Sequence, residues 1–237
     1  MKKVLLLSTG GTISSIQSED GLVPGSSNVI YEQMKQIFSD VDITIKDILK
    51  LDSSNIQPEE WKIIANEIYN NMNNYDGIVV THGTDTMAYT SSMISFMIQN
   101  PTIPVVFTGS QLPISHPLTD AIANLRYALS MALSEKRGIY LAFDRKIILG
   151  CRAVKVRTTA FHAFESVIIH AVGTIDSSGL SIRESQLFNY KDEVLFNSNI
   201  EDRVFLLKLT PGTNPEIIDL LIESNIKGIV IEAFGAG

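Results

Sequence analysis

Short apolar runs alternate along this chain with stretches whose apolar residues recur at helical spacing. The runs are Val4–Leu7, Ile43–Leu51, Gly77–Val80, Pro104–Phe107, Gly138–Phe143, Ser166–Val172, Arg203–Leu209 and Gly228–Ile231. Runs this short read as strands. After the second run, Trp61, Ile64, Ile68 and Met72 share a helical face, preceded by the helix-start signal Pro58-Glu59-Glu60. Met93, Ile94, Met97 and Ile98 make another face, closed by Asn100-Pro101. This methionine stripe reads as core rather than as a cofactor contact. Together the alternation predicts an α/β fold of βα units around a mainly parallel sheet.

From Asp176 to Asp202 the chain turns polar and aperiodic, as a linker with at most a short strand pair. One βαβ unit follows: strand Val204–Leu209, turn Thr210–Pro215, helix Glu216–Glu223 and strand Gly228–Ile231. Such a unit buries too little apolar area to stand alone. The expected organisation is an N-terminal domain over residues 1–180, a linker over 181–202, and the start of a smaller α/β domain over 203–237. Another glycine turn is opening at Phe234-Gly235-Ala236-Gly237 where the sequence stops. Since a small domain usually needs ~50 residues, the second one reads as truncated.

Three of the early strands end alike. Leu7 leads to Ser8-Thr9-Gly10-Gly11-Thr12, Val80 to Thr81-His82-Gly83-Thr84-Asp85, and Phe107 to Thr108-Gly109-Ser110-Gln111. In an open parallel sheet ligands bind at the carboxyl ends of the strands, so these turns gather hydroxyls on one edge. Glycines there let a ligand approach the backbone closely. Phosphate binding loses support because no G-x-x-x-x-G-K-[ST] and no complete G-x-G-x-x-G follows a strand. His82, His116, His162 and His170 are scattered, without H-E-x-x-H or a cysteine cluster, and G-x-S-x-G is absent. No metal and no cofactor are expected. A threonine nucleophile remains, which needs a neighbour to remove or polarise its proton. Asp85, expected at a helix amino terminus, is favoured there as a carboxylate that could bind an ammonium group or orient a lysine. Taken alone, Thr84 and Asp85 read first as helix caps and Thr12 as a turn residue.

Composition narrows the partners. The 237 residues are 45% hydrophobic and 19% charged, ordinary for a globular protein. A net charge of −7 without basic blocks argues against nucleic acid or an anionic membrane surface. One cysteine, Cys151, allows no internal disulfide and fits a reducing compartment. The opening MKKVLLLSTGGT is too short in its apolar part for a signal core, and no segment approaches the ~20 apolar residues that span a bilayer. A cytoplasmic location is expected.

The segments TGGTI at 9–13, DSSNIQPEEW at 52–61, VVTHGTDTMAYTSSMISFM at 79–97, FTGSQLP at 107–113 and GCRAVK at 150–155 closely resemble the bacterial L-asparaginase family, best its cytoplasmic type I branch. The resemblance runs the length of the chain. It implies a flavodoxin-like N-terminal domain with an uncommon left-handed crossover, a smaller α/β C-terminal domain, and assembly as homodimers within homotetramers. It implies hydrolysis of L-asparagine to L-aspartate and ammonia through an acyl-enzyme. Carried over, Thr12 matches the family's nucleophile, and Thr84, Asp85 and Lys155 match its second catalytic group. Asp52, Ser53 and Ser54, with Thr84 and Asp85, match the substrate-binding positions. Which threonine attacks is the family's assignment; spacing does not decide it.

Each position also has a plainer reading. Lys155 could be a solvated lysine beside Arg152 and Arg157, Ser53-Ser54 a turn before Pro58, and Cys151 a small packing residue where many relatives have asparagine. Two departures stand out. The flap position that often carries a polarising tyrosine is Leu22 here, with Tyr31 a weak substitute. Glu232 replaces the arginine with which type I relatives grip a second asparagine, so no effector site of that kind is expected. Two other functions compete. One is the amidase subunit of a tRNA-dependent amidotransferase, disfavoured because such relatives usually carry an extra N-terminal domain and here the first strand starts at once. The other is an inactive amino-acid-binding module.

Overall fold

The computed structural model describes residues 1–18, 21–24 and 28–235, without the side chains of 16–18, 21–24, 28, 29 and 31. It divides into two compact units, Met1–Ser198 and Asn199–Gly237. The first opens with β1 (Lys2–Gly10), whose Val4, Leu5, Leu6 and Leu7 are buried on both faces. A hairpin of β2 (Ser15–Ser18) and β3 (Gly21–Pro24) follows, then α1 (Asn28–Ile37) and the long β4 (Val41–Leu51). Helix α2 (Pro58–Asn71) starts where the sequence signals it, with the Gln57 N–H donating to the Glu60 carboxylate at 2.7 Å. Then come β5 (Gly77–Thr81), α3 (Met87–Met97), β6 (Ile98–Gln99), β7 (Pro104–Thr108), α4 (Ala121–Ala132) and β8 (Gly138–Phe143).

Asp144 and Arg145, at φ 44 and 62, turn β8 back into the antiparallel β9 (Lys146–Leu149). Positive φ at both turn residues matches the twist of a two-residue hairpin. A separate antiparallel pair, β10 (Ala153–Lys155) and β11 (Phe164–Ser166), precedes β12 (Gly173–Asp176) and β13 (Gly179–Ile182), which extend the main sheet. Finally β14 (Leu195–Phe196) pairs with β6.

The main sheet has the order β13-β12-β9-β8-β7-β5-β1-β4. From β8 to β4 all pairings are parallel. Numbered along the chain, those five strands stand in the order 5-4-3-1-2, the flavodoxin-like arrangement, so the winding reverses between β1 and β5. Strands β5, β7 and β8 are buried throughout, each aliphatic side chain contributing about 1.5–3 kcal/mol. Strand β4 is at the sheet edge, and Ile43 is its one buried residue.

Two stretches differ from their sequence reading. Ser166–Val172 is not a strand: only Ser166 closes β11, Ile168 takes φ 70, and its side chain is 88% exposed. Val172 is buried in the core and Ile169 packs against it, but Val167 and Ile168 stay exposed, so the run lacks the continuous burial of a core strand. Residues 181–198, read as linker, fall in the first compact unit and contribute to β13 and β14. The second unit is a βαβ element by itself, β15 (Val204–Lys208), α5 (Glu216–Glu223) and β16 (Gly228–Glu232), with parallel strands and Leu207 and Leu221 buried.

The carboxyl ends of β4, β1, β5 and β7 are locked backbone to backbone. Gly11, at φ 78, donates its N–H to the Leu51 carbonyl at 3.1 Å. A Cβ added there would sit 2.5 Å from the Gly83 nitrogen. One added to Gly83 would sit 2.5 Å from the Ser53 hydroxyl oxygen. Gly11→Ala is therefore expected to destabilise the protein by about 2 kcal/mol or more, from left-handed strain and the backbone clash together. Urea unfolding measures it; a loss under about 0.5 kcal/mol, the ordinary surface value, would contradict this packing.

Candidate active site

The reversal between β1 and β5 brings the turns after them side by side, in register through Ser8 opposite Thr81. Thr9 ties them, its hydroxyl donating to the Thr81 carbonyl at 2.9 Å. Thr12 begins a 3₁₀ turn (Thr12–Ser14) directly after Gly11, and is half-buried while Ile13 and Ser14 are buried. The contact of Gly11 with Gly83 thus sets Thr12 on the turn adjoining the one that carries Thr84.

Thr84 and Asp85 do not cap α3. The residue before that helix is Thr86, and no side chain makes a cap hydrogen bond. Thr86 instead donates its hydroxyl to the Ser53 carbonyl at 2.7 Å. Lys155, at the end of β10, directs its ammonium group between the two remaining side chains, 2.9 Å from Thr84 Oγ1 and 2.7 Å from Asp85 Oδ1. The lysine side chain is 14% exposed and the aspartate 60%. A pair so open to water adds at most about 1 kcal/mol to stability, so placement of the cation against a buried threonine hydroxyl is its main consequence.

Thr84 Oγ1 has a second partner, Gln111 Oε1, at 3.2 Å. Gln111 lies in the turn after β7, within the FTGSQLP segment, and neither its spacing nor the family resemblance gave it a role. The usable signal was its type: a carboxamide in the third hydroxyl-rich turn has both donors and an acceptor to offer. Asp120, just before α4, holds that turn by accepting from the Gln111 N–H at 3.0 Å and the Leu112 N–H at 3.2 Å.

The remaining predicted positions divide. Ser53 is buried against Gly83. Ser54 is exposed, and its N–H and hydroxyl both donate to Asp52, at 2.8 and 2.7 Å. Those bonds, the backbone one foremost, hold the Asp52 carboxyl below its ordinary range. Thr12 makes no hydrogen bond to Thr84 or Lys155, whose contacts among the described residues are with each other, Asp85 and Gln111. Leu22 and Tyr31 have side chains outside the described residues. Burial pushes the Cys151 thiol up, away from the nucleophilic thiolate. Glu232, in the second unit, pairs with Lys208 at 2.5 Å. Among the described residues no group of His, Cys, Asp or Glu is arranged to hold a metal ion, and no helix is long and apolar enough to cross a membrane.

A family model described as asparaginase, N-terminal, matches residues 3–188. The chain belongs to the asparaginase family. The L-asparaginase of Thermococcus kodakarensis is 43% identical over 237 residues, covering 99% of this chain and 72% of that protein. The solved thermostable L-asparaginase from that organism superposes with a TM-score of 0.90 at the same identity and coverage. L-asparaginase I from Vibrio cholerae, at 28% identity, gives 0.89 over 100% of this chain and 73% of that one. A glutamyl-tRNA(Gln) amidotransferase chain of Methanosphaera stadtmanae is 35% identical, covering 100% of this chain and 57% of that protein. The family's mixed α/β architecture around a large, mainly parallel sheet is the one described above.

His82 is fully buried beneath this turn. Its Nδ1 faces the Gly83 carbonyl at 2.8 Å, which only accepts, so that nitrogen carries the proton. Nε2 then accepts from the Thr90 hydroxyl at 2.9 Å, whose oxygen in turn accepts from the Trp61 N–H at 3.0 Å. The neutral ring satisfies every group, and burial lowers its pKa to about 4. In the unfolded chain the imidazole titrates near its ordinary value of 6.5. Between those values the unfolded state binds the extra proton, so stability is complete above the upper one and falls as pH drops toward the lower. From pH 7 to about 4.5 the wild type is expected to lose roughly 2–3 kcal/mol more than His82→Gln, read from urea midpoints. Equal losses would mean that the ring is charged, or open to water, in the fold.

Proposed function

We propose that this chain hydrolyses L-asparagine to L-aspartate and ammonia, without metal or cofactor. The observation that carries the reading is the Lys155 ammonium group held at once by Thr84 and Asp85, on the turn that abuts the glycine before Thr12. Thr12 Oγ1 attacks the side-chain amide carbon. The new C–O bond and the broken C–N bond leave an ester on Thr12, and the amide nitrogen departs as ammonia once it has gained the proton that Thr12 gives up. Water then cleaves the ester. Lys155 supplies positive charge and a proton path, and Asp85 holds both the lysine and the substrate's α-ammonium. Asp52, Ser53 and Ser54 receive the amino-acid end, for which Ser54 must exchange its bonds to Asp52 for bonds to the substrate. Backbone N–H groups of the glycine turns stabilise the oxyanion, commonly the largest electrostatic contribution in acyl transfer.

Family membership and the 43%-identical L-asparaginase support this reading. We place the enzyme in the cytoplasm, in keeping with its single cysteine, and expect a homodimer or homotetramer. The amidotransferase reading rests on the likeness to the Methanosphaera stadtmanae protein, and predicts ammonia that is released and used only with the glutamyl-tRNA system.

Thr12→Ala, Thr84→Val and Lys155→Met are each expected to cut ammonia release from free L-asparagine by about 10³-fold or more while the fold is kept, as circular dichroism checks. An unchanged rate in any of the three removes that residue from the mechanism. A wild type that binds asparagine without releasing ammonia is instead a binding module.

A further inference from the structure

The hydrogen-bond directions around Gln111 allow one arrangement only. Its Nε2 lies 3.0 Å from the Thr158 carbonyl and 2.9 Å from the Ala160 carbonyl. Carbonyl oxygens only accept, so both N–H groups are used there and Oε1 must be the atom facing Thr84. Oε1 also only accepts. The Thr84 hydroxyl therefore donates to Gln111, and its lone pairs are turned toward Lys155, which donates to it. The amide is pinned by the Thr158 and Ala160 carbonyls, and the backbone that carries it is held by Asp120, both of whose oxygens accept from the Gln111 N–H at 3.0 Å. Asn124 steadies that carboxylate by donating to it at 3.0 Å, and donates also to the Gly109 carbonyl at 3.0 Å.

We infer that Gln111 is a positioning residue for the proposed reaction: by taking the Thr84 proton it fixes that hydroxyl as an acceptor toward Lys155 and toward the substrate. Without it the hydroxyl rotates, and in other rotamers its proton points at the groups it should receive from. The inference rests on the asparagine-hydrolysis reading for its catalytic consequence, but the hydroxyl direction is a property of the protein alone.

Two variants and two measurements test it on the full chain. Gln111→Leu removes the acceptor, and about a 100-fold fall in kcat with KM changed less than about 3-fold is expected, as for a misoriented catalytic group. Gln111→Glu reproduces the native pattern only while its carboxyl is protonated, when the O–H donates to one backbone carbonyl and the C=O accepts from Thr84. Once ionised, it faces the Thr158 and Ala160 carbonyls with like charge. Its kcat should therefore fall with rising pH along a limb that the wild type and Gln111→Leu lack. A residue that merely tethers residues 158–160 shares that limb but leaves the Thr84 hydroxyl proton unaffected, which a second measurement reads. The second measurement is independent of turnover: in isotope-labelled protein the Thr84 hydroxyl proton should give a slowly exchanging NMR signal that disappears in Gln111→Leu. Native kcat in Gln111→Leu, a Gln111→Glu pH profile parallel to the wild type, or a hydroxyl signal that persists in Gln111→Leu overturns the inference. If the wild type releases no ammonia, the hydrolysis reading fails, and the NMR signal alone decides the inference about the hydroxyl.

Discussion

The structure depends on the close approach of one backbone turn to another where the sheet reverses its winding. Gly11 lies against Gly83, and Gly83 against Ser53, at distances a side-chain carbon could not share. Parallel strands sit about 4.8 Å apart, so loops leaving neighbouring strands normally diverge to make room for their side chains. Removing Cβ at these junctions lets three consecutive strand ends close on each other instead. The small residues that follow, Thr12, Thr84 and Thr86, are then set by backbone geometry rather than by flexible side chains. The Leu51 carbonyl, receiving the Gly11 N–H, extends the same lock to the edge strand.

On that base the site has a graded electrostatic character. His82 lies beneath it, neutral and fully hydrogen-bonded between helices α2 and α3. Thr84 is buried above it, and Lys155 and Asp85 grade outward into solvent. A charged histidine in the lower layer would repel the lysine and leave Thr90 with a competing donor. The burial that keeps the ring uncharged therefore also spares the Lys155 ammonium group a like charge beneath it. Charge is concentrated where water can moderate it, while direction comes from neutral, acceptor-only groups such as the Gln111 carbonyl.

The fold was legible in the sequence wherever burial dictates the pattern. Strands β5, β7 and β8 and helix α5 start where the apolar runs and helix signals put them, because both faces of these strands must be apolar and Pro215-Glu216 marks the helix start. Strand β9 escaped because Asp144-Arg145 lacks the glycine or asparagine that announces a tight hairpin. Ser166–Val172 misled because apolar composition was mistaken for burial. In the site, Thr84 and Asp85 stood out from their hydroxyl-rich glycine turn and Lys155 only through family resemblance, and neither spacing nor composition carried the lysine 70 residues along the chain to Asp85. Gln111 stayed silent for a related reason: its importance comes from two backbone carbonyls, at Thr158 and Ala160, and no residue type advertises where its carbonyl will point.

Lys155 does not belong to the large sheet. It closes a three-residue strand that among the described residues pairs with β11 alone, while the turns bearing Thr12 and Thr84 spring from strands buried on both sides. The two halves of the site therefore sit on supports of unequal stiffness. Local opening of the small ladder costs less than any disturbance of the central strands. The ammonium group accordingly stands on the support that opens more easily, and the hydroxyls on the stiffer one.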